Sequence, residues 1–279
     1  GEYMELAWSS DVLLAFALTL FAGLATGIGS LIAFFTKQTN KKFLSLALGF
    51  SAGVMIYVSL VEIFVKAKDA LVGEHGEKTG YWLTLAGFFG GMLLIALIDR
   101  FIPKANNPHE VKSVEDVQQA QLQQNDIEAE RLMKMGLFTA LAIAIHNFPE
   151  GIATFMSVIQ DPSVGVAVAI AVAIHNIPEG IAVAIPIFYA TGKRMKAFKW
   201  SFASGLSEPL GALVAFVLLM PFLTDTMFGI VFAGVAGIMI FISIDELLPA
   251  AKKYDEEHSS IYGLVAGMAV MAVSLVLLS

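Results

Sequence analysis

Eight long apolar runs decide what this chain can fold into, at about residues 12–36, 43–65, 81–102, 135–159, 163–190, 199–222, 227–250 and 260–279. Each holds about the 20 residues that a helix needs to cross a bilayer. Over the whole chain 57% of residues are hydrophobic and 15% are charged, against roughly 45–50% and 25% in a soluble domain. A soluble core has no use for so much apolar surface. The expected class is an all-α membrane protein of eight transmembrane helices, one transmembrane domain over residues 1–279. With no cysteine, thiolate metal sites and disulfides are both excluded.

The basic residues orient the spans. Alternate loops on one side hold Lys37, Lys41 and Lys42, then Arg100, Lys104, Lys112, Arg131 and Lys134, then Lys193, Arg194, Lys196 and Lys199, then Lys252 and Lys253. The other side has only Lys66, Lys68 and Lys78. Positive residues collect in the cytoplasm, so both termini are expected outside. Residues 1–11 carry Glu2, Glu5 and Asp11 with no Lys or Arg, the wrong n-region for a cleaved signal peptide, so the first span is expected to be retained. Spans four and five are separated only by Gln160-Asp161-Pro162-Ser163, a tight hairpin that makes them adjacent and antiparallel. The one long polar insertion, about 103–134, reads as a mobile cytoplasmic loop. Its His109 alone makes no metal site.

Two copies of one phrase stand in the middle of spans four and five: His146-Asn147-Phe148-Pro149-Glu150-Gly151 and His175-Asn176-Ile177-Pro178-Glu179-Gly180. The flanks repeat as well. Ala22-Gly23-Leu24-Ala25 in span one echoes Ser204-Gly205-Leu206-Ser207 in span six, and both continue to a Gly-x-Leu/Ile-type run at Gly29 and Gly211. Gly53 through Glu62 in span two echoes Gly237 through Glu246 in span seven. Gly87 and Gly91 in span three match Gly263 and Gly267 in span eight. The flanking pairs lie five spans apart and the phrases one span apart. Odd offsets relate each pair by inversion across the membrane, the architecture of secondary transporters with midplane sites.

On a helix His146 and Glu150 share a face, with Asn147 at its edge, and His175, Asn176 and Glu179 repeat that geometry. Pro149 and Pro178 are expected to kink their helices and free the carbonyls of Ile145 and Ile174. Gly151 and Gly180 allow another helix to approach closely. A carboxylate at the bilayer centre costs roughly 2.5–3.5 kcal/mol on insertion scales. Glu150, Glu179 and Glu208 of span six would each incur it, and no span offers a Lys or Arg away from its ends to neutralise them. Protonation is one escape and a bound divalent cation the other. Imidazole and carboxamide beside the carboxylates favour the cation, and such a donor set suits zinc, ferrous iron, manganese or cobalt with little selectivity.

The paired H-N-x-P-E-G phrases, with a glutamate on the next span, resemble the ZIP (Zrt/Irt-like) metal transporters, nearest to the bacterial ZupT-type branch. The resemblance covers nearly the whole chain. It implies a three-plus-two-plus-three helix arrangement with spans four and five central, usually as a homodimer, in a bacterial plasma membrane and carrying metal into the cytoplasm. It implies one metal on His146, Glu150 and Glu179, and a second on Asn147, Asn176, the same glutamates and Glu208. His175 stands at a position that varies across the family. The chain lacks the histidine-rich cytoplasmic loop common in eukaryotic members, so regulation through such a loop is not expected.

Glu62 lies near the outer end of span two, and Asp245 with Glu246 near the inner end of span seven. Their expected role is to attract cations at the two mouths of one path. Met55 and Met239 read as core packing, and Glu74, His75 and Glu77 as a solvated outer loop. The leading function is uptake of divalent transition metals: zinc, and also iron, manganese, cobalt or cadmium. The metal is substrate, not cofactor, with one or two ions bound; the partners are lipid and metal, with no nucleic acid. The alternatives are a proton-coupled carrier of another solute, with the glutamates as proton sites, and an intramembrane metalloenzyme. Zinc proteases usually present H-E-x-x-H, whereas here the phrase is duplicated with His and Glu four apart, so no enzyme is expected.

Overall fold

The computed structural model describes residues 9–35, 40–101, 115, 118, 126–222 and 224–278. Among them there is helix and no strand. The long helices are α1 (Ser10–Phe35), α2 (Lys41–His75), α3 (Glu77–Phe101), α4 (Asp126–Gln160), α5 (Pro162–Thr191), α6 (Arg194–Phe222), α7 (Asp225–Lys253) and α8 (Ser259–Leu278). Among the described residues seven of these are long and apolar enough to cross a membrane, and α4 is not one of them. It is 35 residues long, but its first turns carry Asp126, Glu128, Glu130, Arg131 and Lys134, and its middle carries the polar phrase. It also begins well before residue 135, so the end of the segment read as a loop is helical. Most of 103–125, His109 included, lies outside the described residues.

Local chemistry ends the helices where turn residues allow. Asn40 caps α2 by accepting from the Phe43 N–H (2.9 Å), and Thr224 caps α7 by accepting from the Met227 N–H (3.1 Å). In the α4–α5 hairpin Asp161 accepts from the N–H groups of Ser163 (3.0 Å) and Val164 (3.4 Å), with Pro162 in the first turn of α5. Gly192, at φ 64°, closes α5 in the left-handed conformation. Glu74, His75 and Glu77, about the turn from α2 to α3, are exposed, and a ring nitrogen of His75 lies 2.7 Å from the Thr226 hydroxyl, joining the end of α2 to the start of α7.

Burial sorts the helices into inner and outer. Of the membrane-length segment of α5, 76% is buried, against 22% for α3 and for α8. The outer helices present Trp82, Phe89, Leu93, Val273 and Leu277 outward, a surface suited to lipid. Inside, Phe16, Phe155 and Phe216 join α1, α4 and α6, with ring centroids 5.1–6.3 Å apart. Met55 and Met239 are buried in the same apolar core.

The closest helix contacts fall on positions that the sequence pairs. The backbones of Gly23 in α1 and Gly205 in α6 cross so tightly that a Cβ on either would overlap the other's carbonyl. Gly53 of α2 lies on the Leu264 carbonyl of α8, and its counterpart Gly237 of α7 lies on the Phe88 carbonyl of α3. Both α2 and α7 also loosen into a π-helical segment at matching places, Val58–Ile63 and Ser243–Leu247, which carry Glu62 and Glu246 respectively.

Candidate metal site

The doubled phrase lies on the inner pair α4 and α5, and all six of its polar side chains are buried: His146, Asn147, Glu150, His175, Asn176 and Glu179. Glu208 of α6 is buried with them. Both helices run unbroken through Pro149 and Pro178. The helix that is interrupted is α6. That helix turns at Leu206, between Arg194–Gly205 and Ser207–Val214, and Glu208 sits in the first turn of the second piece. Reading span six as one continuous run missed this break; the adjacent Gly205 and Pro209 were its only signal.

Close approach of small residues brings the elements together. A Cβ on Gly151 would overlap the backbone carbonyl of Glu208, so α4 rides directly on the broken part of α6. A Cβ on Gly180 would overlap the carbonyl of Thr26, so α5 rides on α1 in the same manner. The two asparagines fasten these crossings. Asn147 Nδ2 donates to the Ser204 carbonyl (3.4 Å) and Asn176 Nδ2 to the Ala22 carbonyl (2.8 Å). Asn176 Nδ2 also donates to Glu208 Oε1, joining α5 to α6. Ser201, which sequence reasoning passed over, shares its hydroxyl between the carbonyls of Thr26 (3.3 Å) and Gly180 (3.2 Å).

The two histidines take different places. His175 Nε2 lies 2.9 Å from Glu179 Oε1 and 3.5 Å from Glu150 Oε1, between the carboxylates of the two helices. His146 Nδ1 faces Glu246 Oε2 of α7 at 3.4 Å. Thus His175 stands between the two phrase glutamates, while His146 reaches toward the neighbouring helix. Asp245 is exposed beside Glu246. Glu62 is far from this cluster. It pairs with Lys66 (3.5 Å) and lines a cavity of about 460 Å³ with Lys66, Asp69, Gln160 and Asp225. Gln160 lies about 21 Å along α4 from His146 at the ordinary helical rise.

The cluster is rich in acceptors that accept nothing. Asn147 Oδ1, both oxygens of Glu150, Asn176 Oδ1, Glu179 Oε2 and Glu208 Oε2 are buried without a hydrogen bond. Among the described residues no Lys or Arg pairs with Glu150, Glu179 or Glu208. Nor do three His, Asp or Glu side chains there form a ready-made cation cage. The side chains close on one another across His175. Unmatched buried carboxylate oxygens are costly, and oxygen and imidazole donors converging from three helices are chemically suited to a divalent cation.

Comparison with known proteins bears on the same residues. A family model described as ZIP Zinc transporter matches residues 102–275, which include both phrases and Glu208. The chain is 78% identical over 268 residues to "Zinc transporter ZupT" of Lysinibacillus sphaericus, covering 96% of this chain and 98% of that protein. It is 71% identical to the protein of the same name from Oceanobacillus iheyensis, covering 96% and 99%. It is 59% identical to that of Clostridium perfringens, covering 96% and 97%. The chain belongs to the ZIP family, in its ZupT-type branch, and is a multi-pass membrane transporter rather than an enzyme.

Proposed function

We propose that this chain carries zinc, and with it ferrous iron, manganese, cobalt or cadmium, into the cytoplasm through a midplane site between α4, α5 and α6. The ligands are His146, Glu150, His175 and Glu179, with Asn147, Asn176 and Glu208 completing a place for a second ion. The observation that carries this reading is the set of six buried carboxylate and carboxamide oxygens without hydrogen bonds, beside imidazole and without a Lys or Arg. Such a set is stable in hydrocarbon when a cation visits it. Mixed oxygen and nitrogen ligands hold a divalent ion weakly enough to let it go.

The architecture proposed with it has eight spans, α4 being the eighth, arranged three-plus-two-plus-three by inverted repeat with both termini outside. The paired glycine crossings and the matched π-helical segments support the repeat. Seventeen basic residues divided unequally between the two sides support the orientation. A bacterial plasma membrane and a homodimer belong to the same proposal, which the resemblance to bacterial members of the ZIP family supports. In this arrangement Glu62 collects cations at the outer mouth, and Asp245 with Glu246 receives them on the inner side.

The test is competitive uptake of several metals by the chain reconstituted in liposomes, run with and without a proton gradient. Zinc is expected to enter and to compete with the other ions, and Glu150→Ala and Glu179→Ala are expected to abolish its flux. Unchanged flux in either variant removes the site. Flux of protons with an organic solute and none of metal would make the glutamates proton carriers instead.

A further inference from the structure

Thr26 is one of two threonines of the inner helices, with Thr154 of α4, whose hydroxyls are buried and unmatched. It is fully buried in α1, and its hydroxyl has no hydrogen-bond partner. A threonine inside a helix commonly donates back to the carbonyl four residues earlier. Thr19 does so to Ala15 (2.5 Å) and Thr84 to Gly80 (2.8 Å). Thr26 does not; the Ala22 carbonyl accepts from Asn176 instead. A hydroxyl buried and unmatched is destabilising, so its presence needs a reason.

The reason lies in its counterpart. Thr26 follows Gly23 at the same interval as Glu208 follows Gly205, and those two glycines cross. The carbonyl of Thr26 meets Gly180 as that of Glu208 meets Gly151. Asn176 is fastened to Ala22 as Asn147 is to Ser204. Thr26 therefore stands on α1 where the acid stands on α6. Its side chain lies over Gly205: a Cβ there would be 3.0 Å from Thr26 Cβ and 3.1 Å from its Oγ1. Asn147 is bonded to the residue before Gly205, and its Oδ1 also accepts nothing. Thr26 thus covers the stretch of α6 to which Asn147 is bonded, and at the equivalent stretch of α1 Asn176 is bonded both to Ala22 and to Glu208.

We propose that Thr26 is a further ligand position on the path of the divalent cation. Its hydroxyl, with Asn147 Oδ1, forms a neutral half-site opposite the charged half-site of Glu208 and Asn176. This rests on the reading of the inner helices as a metal path. The difference in charge makes the two half-sites unequal: the cation is held on the Glu208 side and is bound only loosely, as a hydroxyl and an amide oxygen can bind it, on the Thr26 side.

The test measures zinc binding by calorimetry on the purified full chain and zinc uptake in liposomes. It compares wild type with Thr26→Val, Thr26→Ser, Thr26→Asp and Glu150→Ala. Thr26→Val, which keeps the shape and removes the hydroxyl, is expected to weaken zinc binding and raise the uptake KM by roughly three- to tenfold. Thr26→Ser is expected to restore both. Thr26→Asp, which copies the charged half-site, is expected to bind zinc more tightly and release it more slowly, lowering the maximal rate. Wild-type binding in Thr26→Val, or equal loss in Thr26→Val and Thr26→Ser, overturns the proposal; so does unchanged affinity in Thr26→Asp. If Glu150→Ala loses zinc while Thr26→Val keeps it, only the role of Thr26 fails. Wild-type binding in Glu150→Ala removes the metal path itself, and the half-site with it.

Discussion

His175 Nε2 approaches Glu179 Oε1 to 2.9 Å and stands 3.5 Å from Glu150 Oε1, so one imidazole faces the carboxylates of two helices. Resemblance to the ZIP family gave the corresponding place to His146, which here faces Glu246 of α7. At the proposed site an imidazole that also bridges two helices would orient both carboxylates. His175→Gln is therefore expected to cost roughly 10–100-fold in zinc affinity, the range for groups that hold metal ligands in place. His146→Gln is expected to cost less in affinity than His175→Gln. Calorimetric zinc titration of the two variants decides between them; the reverse order would return the central role to His146.

Gly151 bears on the backbone of Glu208, where a methyl group has no room and neither backbone can yield cheaply. Gly151→Ala is expected to destabilise the protein by about 1–3 kcal/mol, the usual cost of overpacking. Gly73, in α2, has nothing within reach of an added Cβ. Gly73→Ala is expected to stabilise by about 0.4–1 kcal/mol through a less mobile unfolded chain. Thermal melting in detergent reads both signs, and a neutral Gly151→Ala would mean that the α4–α6 crossing can open to admit a methyl group.

The sequence pattern reached as far as the residues whose burial it could motivate. Glu150, Glu179 and Glu208 stand out because acids in apolar runs need an explanation, and all three are buried together. Gly23 and Gly205 were legible as a repeat, and they touch. Less visible were features set by packing between helices. The turn at Leu206 and the π-helical segments at Glu62 and Glu246 arise from hydrogen-bond slips within a helix, which leave hydropathy unchanged. Nor does spacing along α4 and α5 say which histidine turns toward which neighbour. Thr26 was overlooked for another reason: a threonine in an apolar run is unremarkable until the carbonyl that would satisfy it is found bonded to Asn176.

The turn between α7 and α8 gives a prediction in pH. Asp255 accepts from the Ser260 N–H (2.9 Å) and the Ser259 hydroxyl (3.1 Å), and these bonds hold its carboxyl below the usual range, the backbone N–H of Ser260 foremost. A carboxyl whose folded value is depressed adds stability above its unfolded value and loses it as pH falls through the folded one. Asp255→Ala is thus expected to melt lower than wild type at neutral pH. The difference should shrink as pH drops below about 4, where the unfolded carboxyl takes up its proton. Melting curves across that range check it; a difference that stays constant with pH would remove the capping role.

On the proposed path, Glu62 serves capture and Glu246 release, and the two can be told apart. The cavity at Glu62 gathers three carboxylates, Glu62, Asp69 and Asp225, against the ammoniums of Lys66 and of Lys68, which lies 3.4 Å from Asp69, and Gln160 at the end of α4 lines it. A net negative mouth raises the local concentration of cations, and salt screens that effect. Glu62→Gln is therefore expected to raise the KM for zinc uptake at low ionic strength, to leave the maximal rate near wild type, and to lose its effect as salt increases. Glu246 lies 3.4 Å from His146 with its side chain 11% exposed, so salt screens it less than it screens a surface charge. Glu246→Gln removes the charge that would draw the ion on from the site, so it is expected to lower the maximal rate, with an effect that persists at high salt. Initial rates of zinc uptake over a range of concentrations, at two ionic strengths, distinguish the two. Equal and salt-insensitive defects in both variants would mean that Glu62 is structural and that the outer mouth does not gather cations by charge.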